Sequence, residues 1–246
     1  MIPANTLDQL KTLRLDGMIA ALGDQATSSA AAELGFDDRF SLLVQREIDW
    51  RDGKRLARIL KAAKLKVGNA CIEDVLWRDS RHLDRHLMTT LAGCDWIRHA
   101  RTVLMTGATG TGKTWLACAL AQQAARCGFT VLYTRTTRLM TELRVAHGEG
   151  GFVRRLAQLA RYDLLVLDDF AGAPMEPAER TDLLELLDDR VGTRATLITS
   201  QMAVNQWHAW LDDPTVADAI LDRIVHGSHR IALKGPSLRG PDNEQP

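Results

Sequence analysis

Several features that would place the chain in a metal-stabilised, secreted or membrane-bound class are missing from its sequence. The four cysteines (Cys71, Cys94, Cys118 and Cys127) have no C-x-x-C spacing and no paired histidines, which argues against a zinc site and a disulfide framework. The sequence has no run of about 18 apolar residues and no charged-then-apolar start, so neither a membrane span nor a secretory signal is expected. A cytoplasmic protein with reduced thiols is the simplest interpretation.

Net charge is also absent, but the charges are unevenly distributed along the chain. Lys and Arg total 31 and Asp and Glu total 31, so there is no overall attraction to nucleic acid. Residues 39–66 hold nine Lys or Arg against three Asp or Glu, whereas residues 168–190 hold eight Asp or Glu against two Arg. The sequence therefore separates a basic region from an acidic one.

The most informative motif that is present is a G-x-x-x-x-G-K-T segment at residues 107–114, which follows a β-prone run and precedes a helical one. Its glycines allow backbone N–H groups to face phosphate oxygens, and the new helix adds its positive end. Lys113 is predicted to neutralise the β- and γ-phosphates of ATP, and the Thr114 hydroxyl to bind Mg²⁺. The predicted ATP-binding residues are Gly107, Ala108, Thr109, Gly110, Thr111, Gly112, Lys113 and Thr114.

The pattern of apolar residues changes near residue 100. Residues 1 to about 95 are predicted to be helical, and beyond them β-prone runs alternate with helical runs, which favours an α/β fold with a parallel sheet covered on both faces. The predicted strands are 102–106, 129–134, 163–167, 195–199 and 229–233. We therefore expect a helical N-terminal domain (1–70), a five-stranded nucleotide-binding core (71–234) and, because of its Gly and Pro residues, a disordered tail (235–246).

Two acids follow the predicted third strand. Asp168 and Asp169 end the apolar run Leu164–Leu167, which is the Walker B arrangement. Asp168 is predicted to hold Mg²⁺ through its water shell, and Asp169 to orient the attacking water. An acidic turn at a strand end is the structural alternative, and the preceding P-loop favours the functional interpretation.

Two later segments are candidates for sensing or completing the nucleotide site. Thr199, Ser200 and Gln201 end the fourth strand, where one of them is expected to sense the γ-phosphate, and the sequence does not fix which. Arg223, in a helical run, is a candidate arginine finger that acts on a neighbouring subunit's ATP. The structural alternatives are a plain strand exit for the first segment and a surface ion pair between Asp222 and Arg223 for the second.

Three basic groups are candidate DNA surfaces, because Arg, Lys and hydroxyl side chains are natural phosphate contacts. Each group also has the ordinary interpretation of a solvated helix or loop face. The candidate DNA-binding residues are Arg135 and Arg138, then Arg154 and Arg155, and finally Lys54, Arg55 and Arg58 in the basic region.

The order of these motifs resembles the AAA+ ATPases of the replication-initiator and helicase-loader branch, and more closely the IstB-type transposition helpers. The resemblance covers nearly the whole chain except the tail. The segments that carry it are Thr12–Met18, Arg58–Leu65, Cys71–Asp74, Gly107–Leu120, Asp163–Phe170, Asp182–Glu185 and Asp218–Lys234.

This resemblance implies an AAA+ three-layer core and an ATP- and Mg²⁺-dependent protein that oligomerises on double-stranded DNA and assists a transposase. It also implies that Asp168 is the metal-site acid, that Asp169 is the acid that polarises water, and that Arg223 is a finger acting in trans. Two features differ from those of most AAA+ ATPases. The second acid of the Walker B segment is Asp rather than Glu, and little chain after Leu233 remains for a separate C-terminal lid. Slow hydrolysis, stimulated by DNA or a partner, is therefore expected.

Two alternatives stay open from the sequence. A replicative helicase loader would share the ATPase core and differ in its partner, a hexameric helicase. A P-loop small-molecule kinase would need an acceptor pocket and a mobile lid, and the sequence has no evident lid insertion or second substrate motif.

Overall fold

A computed structural model describes residues 3–238 of the 246-residue chain. The chain falls into two compact units, Met1–Arg58 and Ile59–Pro246, so the boundary between them lies before the predicted one at residue 70. The helices that precede the sheet are α1 (Ala4–Thr12), α2 (Asp16–Thr27), α3 (Ser29–Ala32), α4 (Phe36–Ala63), α5 (Arg85–Ala92) and α6 (Asp95–Arg98). None of the helices within residues 3–238 combines the length and apolar character needed to cross a membrane.

In the first unit, a buried carboxylate fastens α2 to α4. Glu47 of α4 accepts hydrogen bonds at Oε2 from the backbone N–H groups of Gly17 (2.8 Å) and Met18 (3.1 Å). Its Oε1 accepts one from Nε of Arg51 at 2.6 Å. Burial alone raises the pKa of Glu47, but the hydrogen bonds from Arg51 and the two backbone amides outweigh burial, so the pKa is lowered overall.

The second unit is built on a parallel five-stranded sheet, as the alternating pattern predicts. The strand order is β2-β3-β4-β1-β5. Its strands are β1 (Thr102–Gly107), β2 (Val131–Arg135), β3 (Leu164–Phe170), β4 (Ala195–Ser200) and β5 (His229–Leu233). The helices between them are α7 (Lys113–Arg126), α8 (Thr136–Gly148), α9 (Phe152–Ala160), α10 (Pro177–Arg190), α11 (Trp207–Leu211) and α12 (Pro214–Val225).

The central residues of β1 to β4 are buried because helices pack around the sheet. Leu104, Leu132, Leu165 and Ile198 join a buried cluster with side chains of α8 to α12. Helix α7 contacts the four strands β1 to β4. The P-loop, the two acids and the end of β4 thus meet at the carboxyl edge of the sheet, where ligands of open α/β sheets bind.

The segment after β5 differs from the predicted disordered tail over residues 235–238, where the chain follows a defined path beside the P-loop. The Lys234 N–H donates to the Arg81 carbonyl at 3.1 Å, and the Leu238 N–H donates to the Gly110 carbonyl at 2.8 Å. These backbone hydrogen bonds hold this part of the segment, whatever its Gly and Pro content. The remainder of the predicted tail, residues 239–246, lies outside the described residues.

Candidate functional site

The P-loop joins β1 to α7 and has the conformation that its glycines permit. Gly112, directly before α7, has φ 89°, which side-chain-bearing residues rarely adopt. A Cβ atom there would also lie 2.9 Å from Nη2 of Arg81. The Lys113 ammonium donates to the carbonyl oxygens of Gly107 (2.7 Å) and Ala108 (2.8 Å). The backbone turn and the lysine that a phosphate site requires are therefore both in place.

Asp168 lies beside the P-loop and accepts three hydroxyl hydrogen bonds. Thr114 of α7 and Thr199 of β4 donate to Oδ1 at 2.8 and 2.6 Å, and the Tyr133 hydroxyl of β2 donates to Oδ2 at 2.6 Å. Asp168 is only 2% exposed, so no bulk water competes for these bonds. Burial first, and then the bond to Asp168, raises the pKa of Tyr133, so the phenol remains a donor.

Thr114 and Asp168 offer a hydroxyl and a carboxylate, the hard oxygen donors that Mg²⁺ prefers. Within residues 3–238, no cluster of three or more His, Cys, Asp or Glu side chains forms a self-sufficient metal cage. The pair fits Mg²⁺, because that ion usually keeps several waters and binds through one or two carboxylates together with substrate phosphates.

Asp169 has a different environment from its neighbour. It has φ 59° and lies at an irregularity in the pairing of β3 with β4, and its Oδ1 accepts a hydrogen bond from Nε2 of Gln201 at 3.1 Å. The same Gln201 amide accepts, at Oε1, a 2.6 Å hydrogen bond from the Thr109 hydroxyl. Gln201 therefore links the P-loop to the second acid, a connection that the sequence pattern does not reveal.

The three candidate sensor residues point to different partners. Thr199 donates to Asp168 and accepts from the backbone N–H of Asp169 at 3.1 Å, and Gln201 bridges Thr109 and Asp169. Ser200 is fully buried and donates to the Phe170 carbonyl at 2.6 Å. Thr199 and Gln201 therefore contact the two acids after β3, whereas Ser200 bonds the Phe170 carbonyl, and the sensing of the γ-phosphate stays a prediction.

Arg223 does not form the pair with Asp222 that was the structural alternative. Its Nε donates to Oδ1 of Asp188 on α10 at 2.8 Å, and its Nη1 donates to the Ala219 carbonyl at 2.8 Å. The side chain is 27% exposed. A role as a finger in trans concerns a second subunit, so it stays a prediction.

A cavity of about 670 Å³ is lined by the P-loop, the two acids and residues that precede β1 and follow β5 in the chain. Some of its lining residues lie outside the sequence motifs, among them Lys66, Leu76, Arg81 and Leu238. Arg81 is 3% exposed and donates to the carbonyl oxygens of Leu76 (2.8 Å) and Thr111 (3.1 Å), so it buttresses the P-loop. Sequence reasoning missed these residues because they are far from the motifs along the chain.

The predicted DNA-binding arginines of the second unit lie together. Arg135, Arg138 and Arg155 line a cleft of about 560 Å³, which we call the basic cleft and which also contains Lys64 and Lys66. Arg154 lines an adjoining cleft with Arg138 and Arg155. One acid, Glu142, pairs with both Arg138 (3.1 Å) and Arg155 (2.8 Å), which leaves the cleft with an excess of positive charge.

The third predicted group lies on α4 in the first unit. Lys54 pairs with Asp16 of α2 at 2.8 Å, with both side chains largely exposed. Arg55 and Arg58 follow on the same helix. The candidate DNA-binding residues thus fall in both units, with one group on α4 and the arginines at 135, 138, 154 and 155 around two clefts of the second unit.

Comparison with known proteins identifies the family. The family described as IstB-like ATP binding protein matches residues 8–245 of the chain. The chain belongs to this family. It is 53% identical to a predicted ATP-binding protein of insertion sequence IS1162 from Pseudomonas fluorescens, over 82% of this chain and 87% of that protein. It is 44% identical to the insertion sequence protein y4pL of Sinorhizobium fredii, over 97% of both chains.

Solved structures agree with the fold of this IstB-like chain. The crystal structure of DnaI matches with a TM-score of 0.58 and 20% identity, over 74% of this chain and 93% of that one. The DnaC helicase loader matches with a TM-score of 0.55 and 18% identity, over 68% of this chain and 97% of that one. The core therefore has the AAA+ P-loop fold, and the family confirms ATP binding in association with an insertion sequence.

Proposed function

We propose that this IstB-like protein is an ATP-dependent DNA-binding helper that oligomerises on double-stranded DNA and assists the transposase of its insertion sequence. The proposal rests on two cationic residues that line both the nucleotide cavity and the basic cleft. These residues are Lys66 and Arg135. Arg135 also lies opposite Asp168 in the register of β2 with β3. On this proposal, nucleotide and DNA phosphates both approach Lys66 and Arg135.

The nucleotide site supports slow ATP hydrolysis. Mg²⁺, when bound, neutralises charge on the β- and γ-phosphates. Lys113 and the P-loop N–H groups bind and orient the phosphates, and Thr114 and Asp168 hold the metal. Asp169 orients the attacking water, and Gln201, which contacts both Asp169 and Thr109, responds to the γ-phosphate.

Arg223 would complete the site of a neighbouring subunit. On this proposal it leaves Asp188 when a second copy binds and places its guanidinium against that copy's transferred phosphate. The pair it leaves is largely exposed on the Asp188 side, at 61%, so breaking it costs little. Hydrolysis would then depend on assembly.

A test of the DNA surface measures binding of a fluorescent duplex with and without a non-hydrolysable ATP analogue, over a series of salt concentrations. We expect the analogue to tighten binding of the wild-type protein. Combined Arg135→Gln and Arg138→Gln substitutions should weaken binding to any DNA sequence. The slope of the logarithm of the binding constant against the logarithm of the salt concentration should become less steep by about one for each lost phosphate contact.

The matched control removes two arginines at the opposite, amino end of the strands, by combined Arg161→Gln and Arg194→Gln substitutions. Arg161 follows α9 three positions before β3, and Arg194 comes directly before β4, so the net charge changes equally while the basic cleft stays intact. An equal loss of DNA binding in both double variants would contradict the assignment of the cleft.

The helicase-loader alternative rests on the fold likeness to DnaI and DnaC, whereas the relatives that cover nearly the whole chain are insertion sequence proteins. Purified transposase from the same insertion sequence should therefore raise ATP turnover. Stimulation by a purified hexameric helicase, with none by the transposase, would favour the loader.

A further inference from the structure

The hydroxyl of Tyr133 contributes a contact that neither the P-loop nor the Walker B motif accounts for. Tyr133 lies in β2, an edge strand of the sheet, and is 7% exposed. Its hydroxyl donates to Oδ2 of Asp168 at 2.6 Å. A phenylalanine would fill the same space, so apolar packing alone does not require the hydroxyl.

The three hydroxyls around Asp168 fix the plane of its carboxyl group from different elements. Oδ1 is shared by Thr114 of α7 and Thr199 of β4, and both of these threonines line the nucleotide cavity. Oδ2 is bonded to Tyr133, which lines the basic cleft rather than the cavity. The Tyr133 bond therefore prevents the carboxyl group from rotating about Cβ–Cγ and keeps Oδ1 directed toward Thr114.

We propose that Tyr133 is a positioning residue for the Mg²⁺ site and holds Asp168 in the orientation in which it receives the metal with Thr114. This inference rests on the Mg²⁺ role in the proposed function. Outer contacts that orient metal ligands typically change metal affinity by about 10–100-fold when they are lost. The hydroxyl should accordingly affect the Mg²⁺ requirement, with little effect on nucleotide contacts made by the P-loop itself.

The test uses the full chain and a fluorescent, non-hydrolysable ATP analogue, titrated at a series of MgCl₂ concentrations and in EDTA. Tyr133→Phe should raise the Mg²⁺ concentration for half-maximal binding by about 10-fold or more. Its affinity for the analogue in EDTA should match that of the wild type, because Lys113 and the loop are unchanged. A variant affected only in packing would weaken binding equally in both conditions.

Two further variants make the result specific. Tyr162→Phe removes the hydroxyl of the only other tyrosine in the sequence, which comes before β3 at the end opposite to Asp168, and should leave the Mg²⁺ requirement unchanged. Asp168→Asn should abolish most of the Mg²⁺ effect, and adding Tyr133→Phe to it should change nothing further, because Tyr133 acts through Asp168.

The outcomes separate this inference from the proposed function. If wild-type binding responds to Mg²⁺ and Tyr133→Phe responds at the same concentrations, the positioning role is wrong while the Mg²⁺ site stands. If wild-type binding ignores Mg²⁺ altogether, both are wrong. Additive losses in the Asp168→Asn and Tyr133→Phe double variant would also overturn the inference.

Discussion

At the scale of single residues, the two adjacent acids after β3 have surroundings suited to different tasks. Asp168 is buried and accepts three hydroxyl hydrogen bonds, which suits a fixed metal ligand. Asp169 is partly buried, and its carboxylate is bonded to one amide, that of Gln201, which suits a group that must contact a water. Substitutions at the two positions should therefore affect different steps.

Asp169→Asn should leave ATP binding intact and reduce turnover by about 100-fold or more, because the amide cannot act as a base toward the attacking water. The variant should fold normally, since Asn tolerates the positive φ of this position. Equilibrium binding and single-turnover hydrolysis are the measurements, with Asp168→Asn for comparison. If Asp169→Asn loses Mg²⁺-dependent binding and Asp168→Asn retains it, the two roles are reversed.

The acids and the P-loop could be predicted from the sequence because each motif is local. The contacts of Tyr133 and Gln201 could not, since they depend on which strands are neighbours and on the register between them. Likewise, the sequence does not reveal that Thr199 and Gln201 contact the two acids while Ser200 donates to the Phe170 carbonyl.

At the scale of elements, Gly17 illustrates why a helix can contain a glycine. Glycine is a poor helix former, and the chain has no single continuous helix here, since α1 ends at Thr12 and α2 begins at Asp16. In the structure Gly17 lies in α2 where that helix meets α4, and a Cβ atom there would lie 2.7 Å from Cβ of Trp50. The absent side chain is what permits the close approach and the bond to Glu47.

Gly17→Ala should therefore destabilise the first unit, by about 1–3 kcal/mol, as expected for overpacking. The control is Gly23→Ala in the same helix, where no atom lies within 4 Å of the added Cβ, and which should be neutral or stabilising by up to about 1 kcal/mol. Chemical denaturation measures both. Equal stability of the two variants would contradict the packing of α2 on α4.

The strands and the segment after β5 show which secondary-structure features the sequence predicts and which it does not. All five strands are predicted within a few residues, and the clearest are those such as β3, in which a buried parallel strand is a continuous apolar run. The segment at residues 235–238 was predicted as tail because its Gly and Pro residues resemble a linker. Its backbone bond to Gly110 is a tertiary contact that composition does not encode.

At the scale of the whole molecule, the proposed function requires more than one copy of the chain. Mixing Arg223→Ala with Lys113→Ala should partly restore ATP turnover, because the Lys113→Ala subunit lends its arginine to a neighbour that still binds ATP. Each variant alone should be inactive, and turnover of the wild type should rise with protein concentration. Mixed oligomers that form without regaining activity would make Arg223 a structural partner of Asp188.

The most direct test of nucleotide-dependent assembly on DNA is the mass of the complex on a short duplex, measured by sedimentation with and without a non-hydrolysable ATP analogue. With the analogue, we predict several copies of the chain on each duplex, and with ADP or no nucleotide, few or none. A single copy per duplex in every condition, or the same assembly without nucleotide, would contradict the proposal that ATP controls assembly on DNA.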